Sequence, residues 1–164
     1  MTKSGLIFIT NFTRGIFLKK LLNSRTILLE QIIPMNQDFN SIVENICEQD
    51  LRYKEDAYDF VMEALSYAQK KFRRSKHVSG EELLEAMKDL LIERFGPLTL
   101  RVLHHWGIKT TEDVGNIVFN LVENKVLSKT EEDRIESFRN GYNFEEVFDR
   151  GYRKLLAKKI SRMR

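Results

Sequence analysis

The chain has 164 residues, of which 42% are hydrophobic and 31% charged, and its formal net charge is +3. This composition supports one ordinary hydrophobic core and excludes a chain that is disordered for lack of apolar residues. A single cysteine excludes an intrachain disulfide, and no apolar run reaches the length of a transmembrane helix.

Charge is sorted along the chain. Residues 1–34 carry a net charge of +4, residues 35–149 a net charge of −8, and residues 150–164 a net charge of +7. We therefore predict a basic N-terminal arm over 1–34, a helical domain over 35–149 and a basic amphipathic C-terminal helix or tail over 150–164. Because the globular pattern begins only after Met35, we expect the arm to be poorly ordered or to precede a natural start at Met35.

Apolar residues recur at helical spacing from Asp38 onward, in segments with clear start and stop signals. The predicted helices begin near Asp38 (as N-cap), Glu55, Ser79, Pro97, Glu112, Ser128 and Asn143. The S-x-x-E sequence at Ser79 is a capping box, and Gly96 and Gly107 are predicted to end their helices.

These elements predict a predominantly all-α fold, a compact single domain of about six to seven helices. One short β element is expected near 126–128, where Val126 and Leu127 follow the fifth helix. A helix-turn-helix or winged-helix-like arrangement of residues 79–124 stays open. Such an arrangement is favoured if this β element pairs as a strand.

No catalytic, cofactor-binding or metal signature is found. His104 and His105 are adjacent, so their side chains point about 100° apart on a helix and do not converge on one ion. Cys47 lies on an apolar helical face among acidic neighbours, which is typical of a structural thiol. No phosphate-binding glycine motif occurs. We lean against an enzyme, and an enzyme with an unrecognised site is the third alternative.

Two basic clusters are the candidate anion or nucleic-acid contacts. Their residues are Lys70, Lys71, Arg73, Arg74 and Lys76 in the first cluster, and Arg150, Arg153, Lys154, Lys158, Lys159 and Arg162 in the second. The first cluster ends a helix, where cations also offset the helix dipole. The second surrounds an apolar stripe, and such a helix binds phosphates, an anionic surface or an acidic partner unless the stripe simply packs on the body.

Several phrases of the sequence resemble, in order, an uncharacterised bacterial family described as restricted to the Verrucomicrobia and Planctomycetes lineage. They are Asp50-Leu51-Arg52-Tyr53, His77-Val78-Ser79-Gly80-Glu81-Glu82, Trp106-Gly107-Ile108-Lys109-Thr110, Ile117-Val118-Phe119-Asn120 and Lys129-Thr130-Glu131-Glu132-Asp133. The resemblance covers about residues 38–149 and implies a bacterial, cytoplasmic protein. It brings no activity or site residue.

A shorter phrase, Gly107 to Val114, is similar to helix-hairpin-helix-like modules such as the C-terminal domain of the RNA polymerase α subunit. A paired glycine hairpin is missing from this phrase. We therefore interpret it as a helix C-cap followed by an N-cap.

The function expected from the sequence is a small non-enzymatic binding protein that contacts nucleic acid or a ribonucleoprotein through its basic C-terminal helix. The alternative is a regulatory or assembly module that binds a protein partner and no nucleic acid. No cofactor is predicted, and the oligomeric state is left open.

Overall fold

The computed structural model describes residues 6–9, 29–74, 77–129, 134–139 and 141–162, with only the backbone described for 6–9, 29–37 and 155. The helices are α1 Leu29–Gln49, α2 Glu55–Lys71, α3 Gly80–Phe95, α4 Thr99–Trp106, α5 Thr111–Glu123 and α6 Tyr152–Ser161. The strands are β1 Leu6–Ile9, β2 His77–Ser79 and β3 Leu127–Lys129. Short 3₁₀ turns cover Gly96–Leu98 and Ile135–Phe138, and a π-helix covers Glu145–Gly151. The predominantly helical fold predicted from the sequence is confirmed.

Local capping explains where several helices begin. At α3, Ser79 Oγ accepts from the Glu82 amide and a Glu82 carboxylate oxygen accepts from the Ser79 amide, both at 3.1 Å. Asn143 Oδ1 accepts from the Glu146 amide at 3.0 Å at the start of the π-helix. Each bond satisfies an amide that has no partner within the helix, as the sequence predicted.

The core forms around α2. This helix packs against α1, α3, α4 and α5 and buries an apolar face that includes Ala57, Val61, Ala64 and Leu65. At one end of the core, the ring of Trp106 lies 5.0 Å from that of Phe60 and 5.6 Å from that of Phe95, so α2, α3 and α4 meet there. Burial of these faces is the main force that holds the helices together.

A small sheet lies beside the helices, with strand order β2-β1-β3. The N-terminal strand β1 pairs antiparallel with both neighbours: Ile7 lies opposite Val78 on one side and opposite Lys129 on the other. The strand expected near 126–128 is thus β3. It pairs with β1, and not with a strand adjacent to it in sequence.

Two predicted helix starts are wrong. Asp38 lies inside α1, which begins at Leu29, nine residues before the predicted N-cap. Ser128 lies in β3, residues 130–133 lie outside the described residues, and the next described element is the 3₁₀ turn Ile135–Phe138. The sequence Ser128-Lys129-Thr130-Glu131 has the same S-x-x-E spacing as the capping box at Ser79. Residues 127–129 nevertheless pair with β1 as a strand, which gives their backbone groups partners outside a helix.

The predicted division of the chain at residue 35 falls within an element, since α1 crosses Met35. Most of the predicted N-terminal arm, residues 1–5 and 10–28, lies outside the described residues.

Candidate anion-binding surface

The C-terminal helix is anchored to the body at its base. Phe144 and Phe148 are buried, and together with Tyr142 they form an aromatic cluster with centroid separations between 5.6 and 5.9 Å. These rings hold the π-helix Glu145–Gly151, which continues directly into α6. The position of α6 is therefore fixed by aromatic packing that precedes it.

Beyond its base, α6 leaves the body. A row of apolar residues repeats every four positions, and its exposed fraction rises from 2% at Phe148 to 43% at Leu156 and 50% at Ile160. Tyr152, which lies between them, is the last to pack, with its ring against Gly96. The interpretation that the C-terminal stripe is fully packed on the body therefore fails at Leu156 and Ile160.

The basic residues of α6 lie mainly on another face. Lys154, Lys158 and Arg162 follow one another at four-residue spacing, about 6 Å of helix rise per step. From the helical repeat, this basic row lies about 160° around the axis from the row of Leu156 and Ile160. The helix thus presents cations and apolar side chains on nearly opposite faces.

Most cations of this helix are not neutralised by the protein. Arg153 Nε donates to Asp149 Oδ1 at 2.8 Å, one turn earlier. Within the part of the chain that the structure describes, no ion-pair partner is found for Arg150, Lys154, Lys158, Lys159 and Arg162. All six basic side chains are exposed. The helix is therefore open to an anionic ligand.

The first basic cluster is different, because two of its five residues, Lys71 and Arg74, form ion pairs with α3. Lys71 Nζ donates at 2.7 Å to both Glu85 and Asp89, and these hydrogen bonds raise the pKa of Lys71. The Arg74 guanidinium donates twice to Glu82 Oε1.

Of the other members of that cluster, Lys70 and Arg73 are exposed and Lys76 lies outside the described residues. Arg73 has a positive φ of 52° where the chain turns after α2. Of the described members, Lys71 and Arg74 are therefore engaged by acidic side chains of α3, and Lys70 and Arg73 are the exposed cations outside the described ion pairs.

A polar network that the sequence analysis did not identify joins the turn before α2 to α5. Tyr53 Oη donates to Asp113 Oδ1 at 2.7 Å and accepts from Asn116 at 3.0 Å. Asn120 donates to Asp50 and to Tyr58 Oη, both at 3.0 Å. The only signal for it was the D-x-R-Y phrase, whose partners are more than fifty residues away.

The ionisation of this network favours a structural role. Hydrogen bonds from Arg52 lower the pKa of Asp50 to about 2, and burial raises the pKa of Tyr58 to about 12. Burial also raises the pKa of Tyr53. Groups with pKa values this far from neutrality are poor proton donors and acceptors at neutral pH. The network holds residues 50–58 against α5 by hydrogen bonds. Its groups do not form a pair suited to general acid-base catalysis.

A cleft of about 460 Å³ lies at the start of α5 between residues 109–112 and 142–144. Its polar groups are already engaged: Thr111 Oγ1 accepts from the Gly141 amide, Tyr142 Oη donates to the Leu84 carbonyl, and Glu112 pairs with Arg139 at 3.2 Å. We assign no chemistry to this cleft.

Other catalytic or metal candidates are also weak in the described residues. No group of three or more His, Cys, Asp or Glu side chains is placed to hold a metal ion there. Burial is the main cause of a raised pKa at Cys47, which makes its thiol less reactive. In the same residues no helix has the length and apolar character needed to cross a bilayer.

The comparisons with known proteins give no family to which the chain could be assigned. No protein-family model, curated protein or solved structure matches it.

Proposed function

We propose that this chain is a small, non-enzymatic, cytoplasmic binding protein whose C-terminal helix α6 contacts nucleic acid or a ribonucleoprotein. The observation that carries the proposal is the projection of α6 from the body with three exposed cations, Lys154, Lys158 and Lys159, outside any described ion pair. Arg150 and Arg162, which flank α6, are also exposed and outside any described ion pair. Phosphates along a nucleic-acid backbone match a row of cations, and such contacts need no base-specific groups.

The character of the binding follows from the residues present. Tyr152 is the only aromatic residue of α6, and its ring packs against Gly96 instead of standing free to stack on a base. We therefore expect binding that depends on charge and salt and discriminates little between sequences. Long-range attraction would act over a Debye length of about 8 Å at physiological salt.

The test is a triple charge reversal, Lys154→Glu, Lys158→Glu and Arg162→Glu, in the full chain. Binding of a labelled 20-base-pair duplex and of an RNA of equal length is measured by fluorescence anisotropy between 50 and 200 mM salt. Each lost phosphate contact removes about 0.9 from the slope of log affinity against log salt concentration. We expect a slope smaller by about 3 and little binding at 200 mM salt.

The matched control reverses three exposed lysines of the body, Lys54, Lys109 and Lys125. The net charge changes equally, so a loss of affinity of the same size in both variants would show that overall charge, not α6, is responsible. Unchanged binding by the α6 variant would refute the proposal.

A second candidate function, a protein-protein assembly module, is favoured by one observation. Leu156 and Ile160 are exposed on the face away from the basic row, and phosphate contacts give them no role. Pull-down from the native cell with and without nuclease separates the two functions. Partners that survive nuclease and are lost in a Leu156→Ser, Ile160→Ser variant would support the assembly module.

A further inference from the structure

We propose that helix α4 carries a second contact for the phosphate backbone of the nucleic acid that α6 binds, and that Arg101 and His104 make this contact. The inference rests on the proposed function of α6 and extends its binding surface onto the body. It begins from a local exception in the charge of the body. Residues 94–111 contain no Asp or Glu, although they lie within the segment 35–149, whose net charge is −8.

Helix α4 exposes the polar side chains of this segment on one face. Leu103 and Trp106 are buried in the core on the opposite side. Arg101, His104 and His105 are exposed, and at 100° per residue they fall within about 100° of the helix circumference. The exposed face of α4 is therefore formed by groups that donate hydrogen bonds to anions.

Two of these side chains line one cleft. Arg101 and His104 are three residues apart, which makes them neighbours on a helix surface, and together with Leu100 they line a cleft of about 360 Å³. A guanidinium presents paired N–H donors that fit phosphate oxygens. An imidazole ring donates an N–H to an oxygen in either of its charge states. One phosphate group can therefore contact both side chains.

Within the described part of the chain, no carboxylate neutralises this pair. Arg101 belongs to none of the described ion pairs. Glu145 and Glu146, at the start of the neighbouring π-helix, are exposed and are not paired with it. The guanidinium is thus available to an external anion, as the cations of α6 are.

Helix α4 lies next to the base of α6. The π-helix Glu145–Gly151, which leads into α6, packs against α4 and against the 3₁₀ turn Gly96–Leu98 that precedes α4. The Tyr152 hydroxyl lies 3.2 Å from the position that a Cβ atom of Gly96 would take. The two proposed contacts are therefore joined by packed elements.

The separation of the two contacts suits one extended polyanion. From Gly96 to Arg101 the chain rises roughly 9 Å, and from Tyr152 to Lys154 about 3 Å. Arg150, on the π-helix that packs against α4, is exposed and belongs to no described ion pair. Because a duplex carries one charge per about 1.7 Å of its axis, we expect a duplex held by α6 to place phosphates within reach of Arg101.

The first test is Arg101→Gln in the full chain, with the salt titration of duplex binding described above. Loss of one phosphate contact should lower the slope of log affinity against log salt concentration by about 0.9. Arg101→Lys retains the charge and should retain the slope. The matched control is Arg134→Gln, since Arg134 is exposed and precedes a 3₁₀ turn that packs against α3 and α5. This control should leave the slope unchanged.

His104→Ala tests the second donor of the cleft. Removal of one hydrogen bond to a phosphate should weaken duplex binding about two- to tenfold at 100 mM salt. His105→Ala, on the same face but outside the cleft, is its control and should bind like the unmodified chain. Equal affinities of the His104→Ala variant and the unmodified chain would overturn the role of His104.

Cross-linking tests proximity without relying on affinity. In a Cys47→Ala background, a benzophenone is attached to a cysteine that replaces His105, or to one that replaces Arg134 as the control position. After irradiation with the labelled duplex, we expect at least fivefold more cross-linked complex from position 105 than from position 134. Equal yields from the two positions would overturn the contact at α4.

The triple charge reversal of α6 separates failure of this inference from failure of the proposed function. If that variant lowers the salt slope but Arg101→Gln does not, the nucleic acid contacts α6 alone, so the inference is wrong and the proposed function stands. If neither variant changes the slope, both are wrong. A fall of the same size in Arg134→Gln and Arg101→Gln would mean that overall charge is responsible, and this would also overturn the contact at α4.

Discussion

The tightest constraint on a single residue is at Gly107, the C-cap of α4. Its φ is 84°, and a Cβ atom there would lie 1.9 Å from the Arg52 carbonyl oxygen. This close approach allows a hydrogen bond between the two segments: the Lys54 amide donates to the Trp106 carbonyl at 3.1 Å. Glycine is thus required by both the left-handed backbone and the contact between α4 and the turn before α2.

We predict that Gly107→Ala destabilises the protein by more than about 3 kcal/mol. The left-handed conformation alone costs a residue with a Cβ atom roughly 1–2 kcal/mol, and the backbone must also move to relieve the contact. Urea unfolding followed by circular dichroism measures the change. The comparison is Gly151→Ala, where φ is −63° and a Cβ atom would lie 3.1 Å from the Glu146 carbonyl oxygen, so that only a small adjustment is required. Equal losses in both variants would contradict the argument.

At Lys125 we make the opposite prediction, that a substitution by glycine is more stable than a substitution by alanine. Lys125 follows α5 with a φ of 61°, in the left-handed region. We expect Lys125→Gly to be more stable than Lys125→Ala by about 1 kcal/mol, because glycine populates this region without steric cost. Both variants lose the same charge, so the difference in unfolding free energy reports the backbone alone. A more stable alanine variant would rule the explanation out.

The Asp50–Arg52 pair predicts part of the response to acid. Hydrogen bonds from Arg52 lower the pKa of Asp50 from 3.8 to about 2. Since the folded-state pKa is depressed, the contribution of the carboxylate to stability is present above about pH 4 and is lost as the pH falls toward 2. Arg52 is largely solvated, so we expect only about 1 kcal/mol.

The measurement is the unfolding free energy from pH 6 to pH 2 for Asp50→Asn and for the unmodified chain. The variant should be less stable at pH 6, with the difference shrinking below pH 4. Glu123→Gln, on an exposed side chain near the end of α5, is the control and should leave the profile unchanged. A constant difference at all pH values would show that Asp50 acts only as a hydrogen-bond acceptor.

At the scale of elements, the sequence predicted helices where local signals and periodicity agreed. The capping box at Ser79 and the glycine at 107 mark real boundaries, because both act through backbone groups within a few residues. At Ser128 the same kind of local pattern failed, because β3 pairs with β1, which lies far away in sequence. The polar network around Asp50 was missed for the same reason: its partners on α5 are brought close only by the fold.

The π-helix Glu145–Gly151 is also a consequence of tertiary packing. The sequence predicted an ordinary helix from Asn143. The helix instead continues through Gly151, after a wider first part that places Phe144 and Phe148 in the aromatic cluster. Such a segment is uncommon and is retained where side-chain packing requires it.

The exposure along α6 yields a prediction about stability. Leu156→Ser and Ile160→Ser should each change the unfolding free energy by less than about 0.5 kcal/mol, as exposed substitutions usually do. Phe148→Ala, on the same row but buried, should cost about 3–5 kcal/mol. Chemical denaturation of the three variants tests this gradient. A loss above about 1 kcal/mol at Ile160 would mean that α6 packs against the body.

At the scale of the whole molecule, the sorted charge of the sequence corresponds to a physical separation. The acidic segment 35–149 contains the core, whereas the basic segment 150–164 contains the helix that leaves it. The net charge of the whole chain, +3, therefore represents neither the acidic body, at −8, nor the basic C-terminal segment, at +7. An anionic ligand would meet the basic helix first, and the acidic body would repel the same ligand elsewhere, which favours one orientation of approach.

This separation predicts that folding and binding can be uncoupled. A chain that ends after Arg153 retains Tyr152 on Gly96 but lacks the exposed part of α6. It should unfold with a free energy within about 0.5 kcal/mol of the full chain, because the residues removed are mostly exposed. It should elute from immobilised RNA and DNA at a lower salt concentration than the full chain does.

A second truncation, which ends at Asp149, should bind as poorly as the first but be less stable, since it also loses the contact of Tyr152 with Gly96. If the chain ending at Arg153 were retained as strongly as the full chain, the cations beyond Arg153 would have no part in binding.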